Sequence, residues 1–235
     1  MRSRLALIVV VVLAGLMMAG VNQLPPPGSP DAAVHQHVAA HYIAGGSEAG
    51  GAPNLVTAVL LNYRALDTYG EVVVIFAALI AVLAVGLTGR RVRRQAAAQD
   101  LTVSPVVNHV VRLLSPFIAL FGLFMIVEGH VLPGGGFQGG VVLGALMILL
   151  GLVLGPRRLR RLLPVSATYW VRATALLAFA VAALAGLALS GWLFALPEHP
   201  WLREVFFVGL ELAIGIGAAF AVAGFFLSLE VDRHR

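Results

Sequence analysis

The chain has 235 residues, of which 60% are hydrophobic and only 11% charged, with a mean hydropathy of +0.93. Soluble domains are about 45–50% apolar and about 25% charged, so this composition excludes a water-soluble fold and requires burial against lipid or partner helices. The net charge is +5 with no lysine, all 16 basic residues being arginine, and there is no cysteine. Disulfides and thiolate metal sites are therefore excluded.

The apolar runs are long and unbroken. They lack the short alternating strands of a membrane barrel. The expected fold class is all-α: a polytopic membrane protein of about six transmembrane helices, a span needing roughly 17–25 residues. The segments are 5–21, 71–88, 111–129, 137–154, 173–196 and 205–229. The first also resembles a secretory signal peptide, with a basic start and small residues near its end. Its cleavage would leave five helices without changing the orientation of the rest.

Arginine positions set the expected orientation. Arg2 and Arg4 precede the first segment. Arg90, Arg91, Arg93 and Arg94 follow the second, and Arg112 opens the third. Arg157, Arg158, Arg160 and Arg161 follow the fourth, Arg172 opens the fifth, and Arg233 and Arg235 close the chain. Six crossings place all of these on one side and leave only Arg64 and Arg203 on the other. The positive-inside rule then gives an N-in, C-in topology. The basic charge is thereby assigned to anchors facing anionic lipid, and no nucleic-acid partner is expected.

Between the first two spans, Pro25–Gly28 starts a turn-rich stretch, and 32–43 can form a short surface helix. His37 and His41 lie at i and i+4 there, with His35 off that face. That spacing can bind a metal, but no third ligand is evident and no metal site is expected. Leu55–Leu61 is too short to span and reads as interfacial or re-entrant, which requires shielding by protein. The charged stretch 89–110 divides the chain into an N-terminal membrane module (1–95), a cytoplasmic linker (96–102) and a four-helix membrane module (103–235).

Several polar residues sit inside or beside the apolar runs. Glu211 lies six residues into the last one, about 9 Å deep at about 1.5 Å per residue. Acids there are costly and usually face a bundle interior or a proton path. Glu204 is on the same helical face. An adjacent stripe, Gly209, Ala213, Gly217 and Ala221, has the spacing for close helix packing. Glu71 opens the second segment, with Asp67 four residues earlier and Arg64 able to pair with either. These acids read equally as a capped, ion-paired helix start or as part of an ion path. Glu128 and His130 end the third segment and form either a proton-handling pair or a structural one. Pro133 and the run Gly134–Gly135–Gly136–Phe137–Gln138–Gly139–Gly140 follow. Glycines at this density permit a tight hairpin or close backbone approach. Without a preceding strand or a Lys–Ser/Thr ending, the run is not a phosphate loop. No nucleophile–base arrangement is present, so neither an enzyme nor a bound cofactor is expected.

Two stretches carry a family resemblance. Gly51–Glu71, with its Asp67–Thr68–Tyr69–Gly70–Glu71 ending, resembles the C-terminal region of the large A-type component of Mrp Na+/H+ antiporters. Ser104–Pro105, the apolar run to Glu128–Gly129–His130, and Pro133–Gly140 resemble the smaller Mrp component MnhB. That family usually has Arg-Gly-His-Asn before the glycine run; here Glu128 and Val131 stand in place of the arginine and asparagine. The resemblance implies a multi-pass subunit of a multisubunit monovalent cation (Na+)/proton antiporter in the plasma membrane. It also implies that Glu71 lies on or near an ion path. Related modules occur in membrane-bound hydrogenases, so the implied partners are other membrane subunits of an Mrp-like or hydrogenase-like complex, protons, and Na+ or another monovalent cation. Two roles remain open: lining an ion route, or bracing partner subunits.

Overall fold

A computed structural model describes residues 2–88, 104–155 and 164–230. The linker expected at 96–102 and most of the arginines used for orientation lie outside the described residues. All regular structure among the described residues is helical. Two compact units are distinguished, Met1–Ala44 and Gly45–Arg235.

In the first unit, α1 covers Arg2–Val21. Its apolar part, Leu5–Val21, spans about 26 Å at about 1.5 Å per residue, short of the roughly 30 Å hydrocarbon core. The surface helix expected at 32–43 forms as two pieces, α2 (Ala33–Gln36) and α3 (Val38–Gly50). The backbone breaks at His37 (φ −125°, ψ −120°), so His37 and His41 do not share one continuous helix. α3 runs past Ala44, the end of the first unit, and breaks at Gly46 (φ 42°, ψ −136°).

In the second unit, α4 (Leu55–Ala58) is capped by Asn54, whose side chain accepts from Val56 N–H. A π-helical turn follows over Val59–Tyr63. Four long helices and one shorter one complete the unit: α5 (Ala65–Thr88), α6 (Pro105–Val127), α7 (Gly136–Leu154), α8 (Val165–Ser190) and α9 (Pro200–Glu230). All five are long and apolar enough to cross a membrane. With the shorter α1, the protein is an all-helical, multi-pass membrane protein.

α9 is the central helix. It packs against α5, α6, α7 and α8, while α6 turns Leu113, Phe117, Leu120, Phe121 and Phe124 outward. Close packing rests on glycine. A Cβ at Gly140 would lie 2.5 Å from the Gly215 carbonyl, and one at Gly139 2.5 Å from the Gly122 carbonyl. α7 therefore touches α9 on one side and α6 on the other, backbone to backbone. Helices in lipid associate through such contacts because lipid tails supply no hydrophobic drive between them.

The stripe that packs on α7 is not the one expected. Gly209 is exposed and meets nothing, and Gly217 faces Ala175 of α8. The residues pressed on α7 are Glu211, Gly215, Ala218 and Val222, so the packing face and the acidic face are one. Arg172 also differs from expectation. α8 begins at Val165, eight residues before the predicted start, which carries Arg172 from the helix end into the bundle, where only 4% of its surface is exposed. An arginine at a predicted boundary is ambiguous by a helical turn or two.

Between α4 and α9, the main core gathers Ala52, Ala58, Leu61, Phe179, Phe207, Leu210 and Ile214. The short α4 and its π-turn thus pack into the bundle, with Thr57, Ala58 and Leu61 buried.

Candidate functional site

The site forms where three chain segments meet. Glu211, 4% exposed, projects from α9 toward the glycine corner before α7. One carboxylate oxygen, Oε2, accepts the backbone N–H of Gly136. The other, Oε1, lies 3.0 Å from Thr57 Oγ1 of α4. Gly136 must be glycine here: a Cβ would sit 2.5 Å from the Glu211 carbonyl and 2.9 Å from Oε2. Gly135, the residue before α7, has φ 133°, a backbone region that suits glycine.

Thr57 and Asn54 tie the short helix to this corner. Thr57 Oγ1 is 2.8 Å from the Gly129 carbonyl. Asn54 Nδ2 donates to the carbonyls of Gly129 (2.7 Å) and Leu132 (3.0 Å). The Asn54 backbone N–H donates to the His130 carbonyl (3.0 Å).

Thr57 has one hydroxyl proton but two acceptors in reach. With Glu211 ionised, that proton goes to Oε1, and the Gly129 carbonyl keeps the Asn54 amide. With Glu211 protonated on Oε1, the carboxyl donates to Thr57 Oγ1, and the Thr57 proton turns to Gly129. Every group is satisfied either way. Burying polar groups costs little only under that condition. A cavity of about 10 Å³ lined by Thr57, Thr68, Gln138 and Glu211, among others, adjoins the carboxylate, with about the room for one water.

The sequence-predicted candidates divide. Glu211 meets Gly135 and Gly136 directly. His130, 9% exposed, sets Nδ1 3.1 Å from the Val127 carbonyl. Glu128 is half-buried at the C-terminal end of α6. Gly139 and Gly140 are buried helix contacts; Gly134 and Phe137 are half-buried and Pro133 exposed. Glu71 and Glu204 are exposed on the surface of this chain. Asp67 is exposed and paired with Arg64 at 2.5 Å. The structure does not bring these three acids to the Glu211 network.

Thr57 and Asn54 were not singled out from sequence as site residues. Their signal is a pair of hydrogen-bonding side chains, Asn54 just before and Thr57 within a short apolar segment that cannot span.

Residues 106–228, a little over half the chain, match the family model described as a domain related to the MnhB subunit of Na+/H+ antiporter. The chain belongs to this MnhB-related family. Residues 2–105 match a second family model, MbhE, which describes the E-type component of MBH. The B-type component of the Na(+)/H(+) antiporter of Bacillus subtilis (strain 168) is 37% identical over 73 residues, covering 31% of this chain and 51% of that protein. Two solved structures have the same fold. A chain of the membrane-bound sulfane sulfur reductase (MBS), an archaeal respiratory membrane complex, is 29% identical with a TM-score of 0.73, covering 97% of this chain and 98% of that one. A chain of the Mrp complex from Dietzia sp. DQ12-45-1b is 24% identical with a TM-score of 0.66, covering 95% of this chain but 26% of that one. This MnhB-related chain thus spans about half of the Bacillus antiporter component and about a quarter of the Mrp chain.

Proposed function

We propose that this protein is a membrane subunit of a multisubunit monovalent cation/proton antiporter complex, with no enzymatic reaction of its own, and that Glu211 handles protons or cations in it. The observation that carries the reading is a buried carboxylate, within a helix able to cross the membrane, whose hydrogen bonds close in both protonation states. An acid placed only to brace helices needs one state; an acid on a proton route needs both. Thr57 relays the change of register, and Gly136 holds the carboxylate in place. In this reading residues 1–95 and 103–235 are two modules of one subunit. Both termini face the cytoplasm of a plasma-membrane protein.

A second reading has one observation in its favour. The MBS chain matches over nearly its whole length and nearly the whole of this chain, which fits a membrane-arm subunit that braces its neighbours and moves no ion.

The experiment compares cation-dependent pH change in vesicles carrying the complex, at equal assembly. Glu211→Gln is expected to assemble and to lower transport strongly, whereas Glu48→Gln should change little. Normal assembly with wild-type transport in Glu211→Gln removes the path role and leaves the bracing one. Glu71→Gln, on the surface of this chain, tests a route at a partner interface.

A further inference from the structure

Arg172 carries a charge that nothing among the described residues answers. Its Nε, Nη1 and Nη2 are all buried without a hydrogen-bond partner, on a residue 4% exposed. The Phe76 ring of α5 lies 5.8 Å from Cζ. A ring face attracts a cation but does not satisfy a fork of five N–H donors. A buried charge normally requires both a counter-charge and hydrogen bonds.

Arg172 lines a partly open cavity of about 20 Å³ between α5, α7, α8 and α9, with Phe76, Phe137, Ala175, Ile214 and Gly217 among its walls. Every lining residue except Arg172 is apolar or glycine. Glu211 lines the neighbouring cavity, and the two cavities share Phe137 and Ile214 as walls. Glu211 is already held by Gly136 and Thr57.

We propose that this cavity is a binding site for one small monatomic anion of the chloride class, the counter-ion of Arg172. Size decides the class. The space admits little more than one water-sized body, too small for a phosphate or a lipid headgroup. Chemistry decides between anion and water. A buried water typically makes about three hydrogen bonds, and these walls offer no acceptor and no donor but Arg172. A halide needs donors on one side only, and it neutralises the guanidinium. This site stands apart from the Glu211 network and does not depend on a transport role for that residue.

The test uses the purified complex in detergent. Thermal unfolding is followed as sodium bromide or chloride replaces sodium gluconate at fixed ionic strength, and crystals grown in bromide are examined for anomalous density. Wild type is expected to gain several degrees in a saturable way and to show one bromide peak within hydrogen-bond reach of the guanidinium. Arg172→Met removes the charge and keeps the length, so its unfolding should not depend on the anion. Gly217→Val should also lose the dependence by filling the cavity. A Cβ there makes only an ordinary 3.5 Å contact with Ala175. A wild type without an anion-specific shift, or a shift of equal size in Arg172→Met, overturns the site. If Arg172→Met does not fold, the wild-type bromide map decides alone. An empty cavity, or a partner carboxylate occupying it, overturns the proposal.

Discussion

Adding a single methyl group at Gly136 should separate α7 from α9 at the point where Glu211 is held. The new Cβ would lie 2.5 Å from the Glu211 carbonyl, 2.8 Å from Ile214 Cβ and 2.9 Å from Glu211 Oε2. The carbonyl is backbone and cannot rotate away, so to reach ordinary contact α7 must retreat by roughly 0.9 Å. Overpacking of this kind costs about 1–3 kcal/mol. The retreat also stretches the Gly136 N–H bond to the carboxylate, a bond type worth about 1.5–3 kcal/mol. The two losses share atoms and do not add fully, so Gly136→Ala should cost roughly 2–5 kcal/mol. Gly209→Ala is the control, because a Cβ there meets nothing within 4 Å and a mid-helix Gly→Ala change is worth about 0.5–1 kcal/mol in favour of the helix. The assay is the unfolding midpoint of each purified variant in detergent, with recovery in the intact complex. If Gly136→Ala unfolds with Gly209→Ala, α7 and α9 are not in backbone contact and the site as described is wrong.

Thr57→Val keeps the shape of the side chain but leaves Glu211 Oε1 without a donor, at about 1–3 kcal/mol; transport in vesicles should fall, and Thr57→Ser should restore it. Arg64→Ala breaks an ion pair whose side chains are 57% and 53% exposed; such pairs contribute about 0–1 kcal/mol, so a midpoint shift larger than that of Gly136→Ala would contradict the exposure. The proposed orientation places Ser104 on the cytoplasmic side and Glu198 outside. In this cysteine-free chain, Glu198→Cys should react with an impermeant thiol reagent in intact cells and Ser104→Cys only after lysis; the reverse pattern rejects the orientation.

The long helices were legible because a bilayer demands about 20 apolar residues in a row, and little else in a sequence looks like that. Their ends were less legible. α8 starts at Val165 and α6 at Pro105, each well before its apolar stretch, because a helix continues through polar residues such as Thr168 and Asn108 as readily as through apolar ones. That extension is what buries Arg172. The burial of Glu211 followed from position alone. Its partners did not, since Thr57 and Gly136 are 154 and 75 residues away and meet it only through the fold. Glu71 shows the converse: an acid near a helix start carries no sign of which side of that helix the bundle covers, and here it is the outer one.

The Glu211 network also determines which substitution can separate conduction from bracing. Its bonds cross between the stretch that matches the MbhE model and the stretch that matches the MnhB-related one. Thr57 and Asn54 belong to the first, and Gly129, Gly136 and Glu211 to the second. In a water-excluded bundle, a group that loses its partner does not find a replacement in solvent. Removing the carboxyl group altogether, as in Glu211→Leu, would leave Gly136 N–H unpaired and disturb assembly whichever role the residue plays. Glutamine behaves differently. Its Oε1 can accept from Gly136 N–H while its Nε2 donates to Thr57 Oγ1, which in turn donates to Gly129. Those are the bonds of the protonated acid, fixed without a proton to release. Glu211→Gln therefore holds the network in one of its two registers, so a loss of transport in an assembled complex would report on the missing proton and not on a broken helix contact.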